Sequence, residues 1–238
     1  MKSVALKRKP MATPSTTGVQ AAIRWLKAQA DPKVRAGLAR YGLPADHALG
    51  SPVGVIQHYG RQLGRDQDLA GALWRTGIYE ARLLAAFVGE PARLTPALMN
   101  RWCRDFDNWG VVDTVCFKLF DQSPHAWNMV AKWSAAKGEF QRRAGVVLLA
   151  CLAGHDESAA DAEFLRQLPL VEQVAHDDRN FVMKGASWAL RMIGRRNAQL
   201  KDAVMIVARR LAASDHPAAR WVGKDTLRQL PGHKLKRA

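Results

Sequence analysis

Apolar residues recur along this chain at spacings of three and four, as helices with one buried face require, and almost nowhere in the strict alternation of a strand. From Val19 onward, amphipathic segments of roughly 10 to 16 residues are separated by short breaks at Pro, Gly, Asp or Ser. The spacing predicts helices near 18–29, 32–41, 52–63, 67–75, 78–88, 95–106, 109–121, 125–136, 139–153, 160–174, 179–194, 198–212 and 216–229. Helix pairs recurring about every 35 to 45 residues predict an all-α chain, an α-solenoid of HEAT-like antiparallel helix pairs, curved, with a basic concave face. One repeat domain is expected over 18–230, with an N-terminal arm, 1–17, and a C-terminal tail, 231–238, both basic and too poor in apolar residues to pack.

Three helices break the pattern in ways that call for chemistry. At about 100° per residue, Trp109, Cys116, Phe117 and Phe120 share one face of helix 109–121, and Asp113 sits in the middle of that face. A carboxylate on an apolar stripe needs a partner or a task, either as a structural residue that caps a helix or holds an arginine, or as a reactive group. In helix 139–153, Arg143 emerges between Phe140, Val146, Val147 and Ala150, whereas Arg142 lies about 100° away. Arg143 can snorkel to solvent, pair with Asp113, or hold a phosphate beside it. In helix 179–194, Phe181, Lys184, Trp188, Arg191, Met192 and Arg195 gather on a face other than the core stripe. That mixture suits either a tryptophan covered by the next repeat or contact with a nucleic-acid backbone. Tyr41, in the sequence Ala39-Arg40-Tyr41-Gly42, is either a packed helix-end aromatic or a ligand contact.

Charge narrows the partners. Lysine and arginine number 36 against 21 acidic residues, a formal net charge of +15, which favours a polyanion and nucleic acid before membrane. No apolar run approaches the roughly 18 residues that span a bilayer, and the N-terminus lacks a secretory core, so a cytoplasmic protein is expected. The three cysteines, Cys103, Cys116 and Cys151, show no CxxC spacing and read as buried free thiols. Seven scattered histidines without ligand-spaced partners argue against a metal site. Nucleotide-binding glycine motifs, HExxH and GxSxG are all absent.

Taken together, Trp109-Gly110-Val111-Val112-Asp113, Gln141-Arg142-Arg143-Ala144 and Lys184-Gly185-Ala186-Ser187-Trp188-Ala189-Leu190-Arg191 resemble the DNA alkylation repair family of HEAT-like-repeat glycosylases, the AlkD-like proteins. In that family a Trp is followed four residues on by an Asp, then an Arg heads an apolar helix, then a Lys-x-x-x-Trp-x-x-Arg helix follows. The resemblance covers about residues 30–230, with Tyr41 similar to the family's N-terminal aromatic. The chain departs at Asn108 and Gly110, where relatives often carry an aromatic and a polar or acidic residue, and Arg142-Arg143 leaves the arginine open by one position. The resemblance implies excision of N3- and N7-alkylated purines from double-stranded DNA by a monomeric, monofunctional enzyme without cofactor or metal. It implies that Asp113, Trp109 and Arg143 are the catalytic group, and that Trp188, Lys184, Arg191, Tyr41 and Arg142 contact DNA; Arg195 joins them from the basic face of its helix. The alternatives are a non-catalytic HEAT-like DNA-binding protein and a protein–protein adaptor.

Overall fold

The computed structural model describes residues 16–43 and 45–230, and among them every regular element is helical. In order these are α1 (Thr16–Ala28), α2 (Pro32–Leu38), α3 (Val53–Leu63), α4 (Gln67–Trp74), α5 (Tyr79–Val88), α6 (Pro96–Arg104), α7 (Trp109–Lys118), α8 (Ala126–Ser134), α9 (Glu139–His155), α10 (Asp161–Val174), α11 (Asn180–Gly194), α12 (Ala198–Ala212) and α13 (Pro217–Gln229). Short 3-10 turns lie at Ala39–Tyr41, Ala45–His47, Pro91–Arg93 and Phe120–Gln122. The basic arm and tail fall outside the described residues, except that Thr16 and Thr17 open α1.

Each helix anticipated from spacing is present, and local chemistry sets several boundaries. Asp66, Thr95, Asn108 and Asn197 each offer a side-chain oxygen to backbone N–H groups in the first turns of α4, α6, α7 and α12. Two helices end earlier than their apolar pattern suggests. The segment 32–41 is helical to Leu38, then tightens into the turn Ala39–Tyr41, which closes on Gly42 at φ 67°, a left-handed conformation that suits glycine. The segment 109–121 breaks at Leu119, where φ is −141° and ψ −53°. In a continuous helix Leu119 and Phe120 would point about 100° apart; the break lets both reach full burial.

Among the described residues the backbone packs as two compact units, one of 16–37 with 45–89, the other of 38–43 with 90–230. In the first, α5 packs against α3 and α4, and α1 against α4 and α5. Its buried Glu80 accepts from the backbone N–H groups of Leu49 (2.8 Å) and Gly50 (2.7 Å), which fixes the loop ahead of α3. In the second, α7, α9, α11 and α13 pack side by side in that order as one layer, and α8, α10 and α12 form another against them. That succession of helix pairs is the HEAT-like layout, each pair burying its apolar face on the next. Beneath α7, the rings of Trp102, Phe106 and Trp133 gather around Phe120 at centroid distances of 6.1, 6.4 and 5.6 Å. Among the described residues, no helix is long and apolar enough to cross a membrane.

Adjacent helices approach closest where side chains are missing. A Cβ on Gly223 of α13 would lie 2.2 Å from the Ala212 nitrogen and 2.6 Å from the Ala208 carbonyl oxygen of α12, backbone atoms that cannot swing aside. Gly223→Ala is therefore expected to lower stability by about 1–3 kcal/mol, as overpacking does. Gly54→Ala, at a helical glycine with open space around it, should be neutral or stabilising by roughly 0.5–1 kcal/mol. Thermal unfolding of the two variants checks the contrast.

Candidate active site

The carboxylate singled out in the sequence meets the arginine singled out beside it. Arg143 Nε and Nη2 donate to Asp113 Oδ1 (2.9 Å) and Oδ2 (2.7 Å), a bidentate pair, and Arg143 Nη1 donates to the Phe181 carbonyl oxygen at 2.5 Å. Of the three possibilities for Arg143, the structure takes the Asp113 pair. Asp113, Arg143 and Lys184 are each the fifth residue of their helices, α7, α9 and α11, so the three lie in corresponding turns of adjacent helices. The α9–α11 approach that permits this depends on Gly185, whose Cβ would sit 2.9 Å from Val146 Cγ2.

The pair borders an open cleft of about 510 Å³ lined by Arg40, Tyr41, Gly42, Trp109, Asp113, Arg143, Asn180, Phe181 and Lys184. Arg143 is almost covered, with 7% of its side chain exposed, whereas Asp113 keeps 22% and faces the cleft. Each carboxylate oxygen keeps a lone pair beyond the one that accepts from Arg143. Burial pushes the Asp113 carboxyl above the ordinary carboxylate range, and the charge and hydrogen bonds of Arg143 pull against it. A bidentate contact to a guanidinium that never loses its proton keeps Asp113 an anion at neutral pH.

Aromatic rings make the walls. The Trp109 indole N–H donates to the Tyr41 carbonyl oxygen at 2.7 Å, which fixes the indole and ties the turn Ala39–Tyr41 to α7. Tyr41 itself is 67% exposed, so it is not packed as a helix-end aromatic. A Cβ on Gly42 would come within 3.1 Å of the Phe181 ring, so this glycine serves both its positive φ and that close approach. Phe181 stacks obliquely on Phe140 with centroids 5.6 Å apart.

Five of the residues expected from sequence thus come together: Tyr41, Trp109, Asp113, Arg143 and Lys184. Four do not line the cleft. Arg142 donates from Nε to the Ala136 carbonyl (2.9 Å) and from Nη1 to Asp177 (2.8 Å), and Arg191 from Nε to the Ser187 carbonyl (3.2 Å) and from Nη1 to Gln229 (2.5 Å). Arg195 lies along Met192, and Trp188 is half-buried further down α11. The lining residues that sequence reasoning passed over are Arg40, Gly42, Asn180 and Phe181. Two of these flank Tyr41, and Phe181 stands one turn before Lys184 on the face already noted as aromatic and basic, so the signal was present but unread. Among the described residues, no group of three His, Cys, Asp or Glu side chains is placed to hold a metal ion. The three cysteines are buried, and burial pushes their thiols upward, Cys103 to about 12.

The site is thus a carboxylate anchored by a buried arginine and open to a cleft with aromatic walls and cationic edges, on a helical-repeat protein. A family model for DNA alkylation repair enzymes matches residues 22–221, and the chain belongs to that family. A solved structure from a family of proteins related to the HEAT-like repeat DNA glycosylases, with affinity for branched DNA structures, is similar over 92% of this chain and 98% of its own, at 18% identity and a TM-score of 0.75. A designed armadillo repeat protein in complex with the peptide (KR)4 aligns over 92% of this chain and 95% of its own, at 12% identity and a TM-score of 0.44. Comparison with the curated proteins gives no match.

Asp177 braces this end of the fold. It accepts from Arg179 and Arg142, and those hydrogen bonds, Arg179's foremost, hold its carboxyl down at about 2 from an ordinary 3.8. A depressed carboxylate pKa contributes stability that is fully present above the unfolded value and lost as pH falls through the folded one. Asp177→Asn is expected to unfold at lower temperature than wild type at neutral pH, with the gap closing as pH drops from 3.8 toward about 2. Melting curves across that range test the sign; a gap that widens in acid would contradict it.

Proposed function

We propose that this protein is a monofunctional DNA glycosylase that excises purines alkylated at N3 or N7 from double-stranded DNA, with Asp113 as the catalytic carboxylate. The observation that carries this reading is the Asp113 anion, held by Arg143 and open to a cleft whose other charged members are cations. An alkylated ring nitrogen gives the base a formal positive charge, so its departure needs no protonation. The C1′–N bond breaks with its electron pair passing to the base, which leaves neutral. Water adds to C1′ and releases a proton. What the protein supplies is negative charge beside a sugar that becomes oxocarbenium-like, from a group already in place before the reaction.

Magnitudes decide which residue matters most. A cation over a tryptophan face is worth roughly 0.5–2 kcal/mol, enough for Trp109 to favour a charged lesion over a normal base but too little to drive excision. Unit charges about 4 Å apart at an effective dielectric near 20 interact by about 4 kcal/mol, roughly a thousandfold in rate. Tyr41 and Trp109 then serve as aromatic faces at the lesion, and Arg40 and Lys184 as phosphate contacts, all on the cleft wall. Trp188 and Arg195 would contact the backbone outside the cleft. Arg142 and Arg191 act through the helices they hold together.

Asp113→Asn is expected to slow single-turnover release of N7-methylguanine from duplex DNA by about 10²–10³-fold while duplex affinity is retained. Arg143→Ala should cost more activity than Arg142→Ala, because Arg143 alone touches Asp113. Excision should fall as pH drops, with a midpoint above the ordinary 3.8, since protonation removes the anion and burial raises the pKa. A second reading, that the protein binds DNA without excising bases, draws on the solved relative's affinity for branched DNA. Absence of base release by wild type, with tight binding to branched over linear duplex, would establish that reading instead.

A further inference from the structure

The second unit has another cleft, of about 520 Å³, between the C-terminal ends of α6 and α8 and the first turn of α9. Buried Trp133 and Cys103 form its floor, and Arg101, Arg104 and Lys132 stand exposed around it. Its uncharged polar groups are already engaged. Asn100 accepts from the Trp133 indole N–H at 3.0 Å and donates to the Pro96 carbonyl at 2.5 Å, and Gln141 donates to the Arg104 carbonyl at 3.2 Å. The three cations are different: no described residue pairs with their side chains, and no carboxylate lines the cleft. Elsewhere in this unit Arg142, Arg143, Arg179, Arg210 and Arg228 are each held by an Asp or Glu. Arg104 and Lys132 are near enough to the Cys103 thiol to work against the upward push of its burial.

The cleft adjoins the Asp113 site through two chain segments. Gln141 precedes Arg143 by two residues in the first turns of α9, about 200° around that helix, so the two clefts flank the same helix end from different sides. Arg104 ends α6, and the next helix opens on Trp109. Between the two clefts Arg142 clamps the Ala136 carbonyl, at the edge of the second, to Asp177.

We propose that the α6–α8–α9 cleft is a phosphate channel for the DNA strand lying against the Asp113 cleft, with Arg101, Arg104 and Lys132 each pairing with a phosphodiester beside the reacting nucleotide. The inference rests on the reading that this protein acts on DNA, but not on base excision. Helix C-termini present carbonyl oxygens and a negative dipole, which repel an anion. The first turn of α9 opposes this with a positive dipole end, so the two contributions partly offset and the three side chains supply the net positive field. Three separate cations around an open cleft match a linear polyanion better than a single compact anion.

The test is the salt dependence of binding to an unmodified duplex, compared between wild type and Arg101→Gln/Arg104→Gln/Lys132→Gln. Each lost phosphate contact flattens the slope of log affinity against log salt by about 0.9, so the triple variant should be flatter by about 2–3. A variant of equal charge, Lys33→Gln/Arg209→Gln/Lys224→Gln, drawn from exposed cations outside both clefts, should change the slope by less than half as much. An unchanged slope in the first variant, or equal flattening in both, would overturn the proposal. Thermal melts of both variants establish that each is folded; single substitutions, each flattening the slope by about 0.9, replace the triple variant if it is not. Excision assays separate this inference from the previous one. If wild type releases alkylated bases, the triple variant should raise KM and leave kcat within about twofold. If wild type releases none, the salt slopes still decide the channel.

Discussion

The buried guanidinium of Arg143 is the constraint on which the rest of the Asp113 cleft depends. Leaving such a cation without a counter-charge in a covered position costs several kcal/mol, and breaking a buried pair by deleting one partner typically costs about 3–5 kcal/mol. Asp113 on α7 is consequently required as soon as α9 carries Arg143, and the third donor of the same guanidinium fixes the start of α11 through the Phe181 carbonyl. One side chain thus sets the relative position of three helices. Gly185 is the corresponding requirement on the α11 side, since a side chain there would meet Val146 and push α11 off α9. Lys184, next to that glycine, is brought to the cleft by the same approach.

Around this centre, neighbouring arginines divide two tasks that look alike in sequence. Arg142 and Arg143 differ by one position, hence by about 100° of helix face. Arg143 turns toward α7 and the cleft. Arg142 turns toward the end of α8 and to Asp177, where Arg179 joins it. The first pair presents an anion to the cleft; the second network braces the α8–α9 and α10–α11 corners with charges that are mutually satisfied. Arg191 does similar work between α11 and α13 through Gln229, close to the buried Ser187–Asp225 hydrogen bond at 2.6 Å.

The helical architecture was legible because period is a strong signal. Every amphipathic segment became a helix, and the errors sat at ends, where tertiary packing rather than periodicity decides: Leu119 leaves the helix so that it and Phe120 are buried together. The core of the site was legible for a different reason. A carboxylate and an arginine on apolar stripes are costly unless they meet, so the misfit of Asp113 and Arg143 pointed to each other. What could not be read was direction along a mixed face. Trp188, Arg191 and Arg195 share a helix face with Phe181 and Lys184, but the cleft spans only the first turns of α11, and further along Arg191 bonds to α13 and Arg195 to its own helix. The Arg101, Arg104 and Lys132 cluster was equally hidden, because it joins residues from two helix ends that no single periodicity connects.

Asp113 carries two demands that oppose each other, and its geometry reconciles them. As the counter-ion of a buried arginine it is stabilised by losing solvent and gaining close contact, which argues for complete burial. In the proposed reaction, as a source of field at the sugar, it would have to keep an open face and stay ionised where burial favours the neutral acid. The observed arrangement places the covered part of the pair on Arg143, at 7% exposure, and leaves Asp113 at 22%, facing the cleft. Two donors from one rigid fork occupy one side of the carboxylate and leave its other lone pairs unoccupied by that fork. A lysine in place of Arg143 could neutralise the charge, but a single ammonium would not fix the carboxylate plane, nor reach the Phe181 carbonyl at the same time. The fork is therefore what would allow one aspartate to serve both as structural counter-ion and, in the proposed reaction, as the anion beside the sugar.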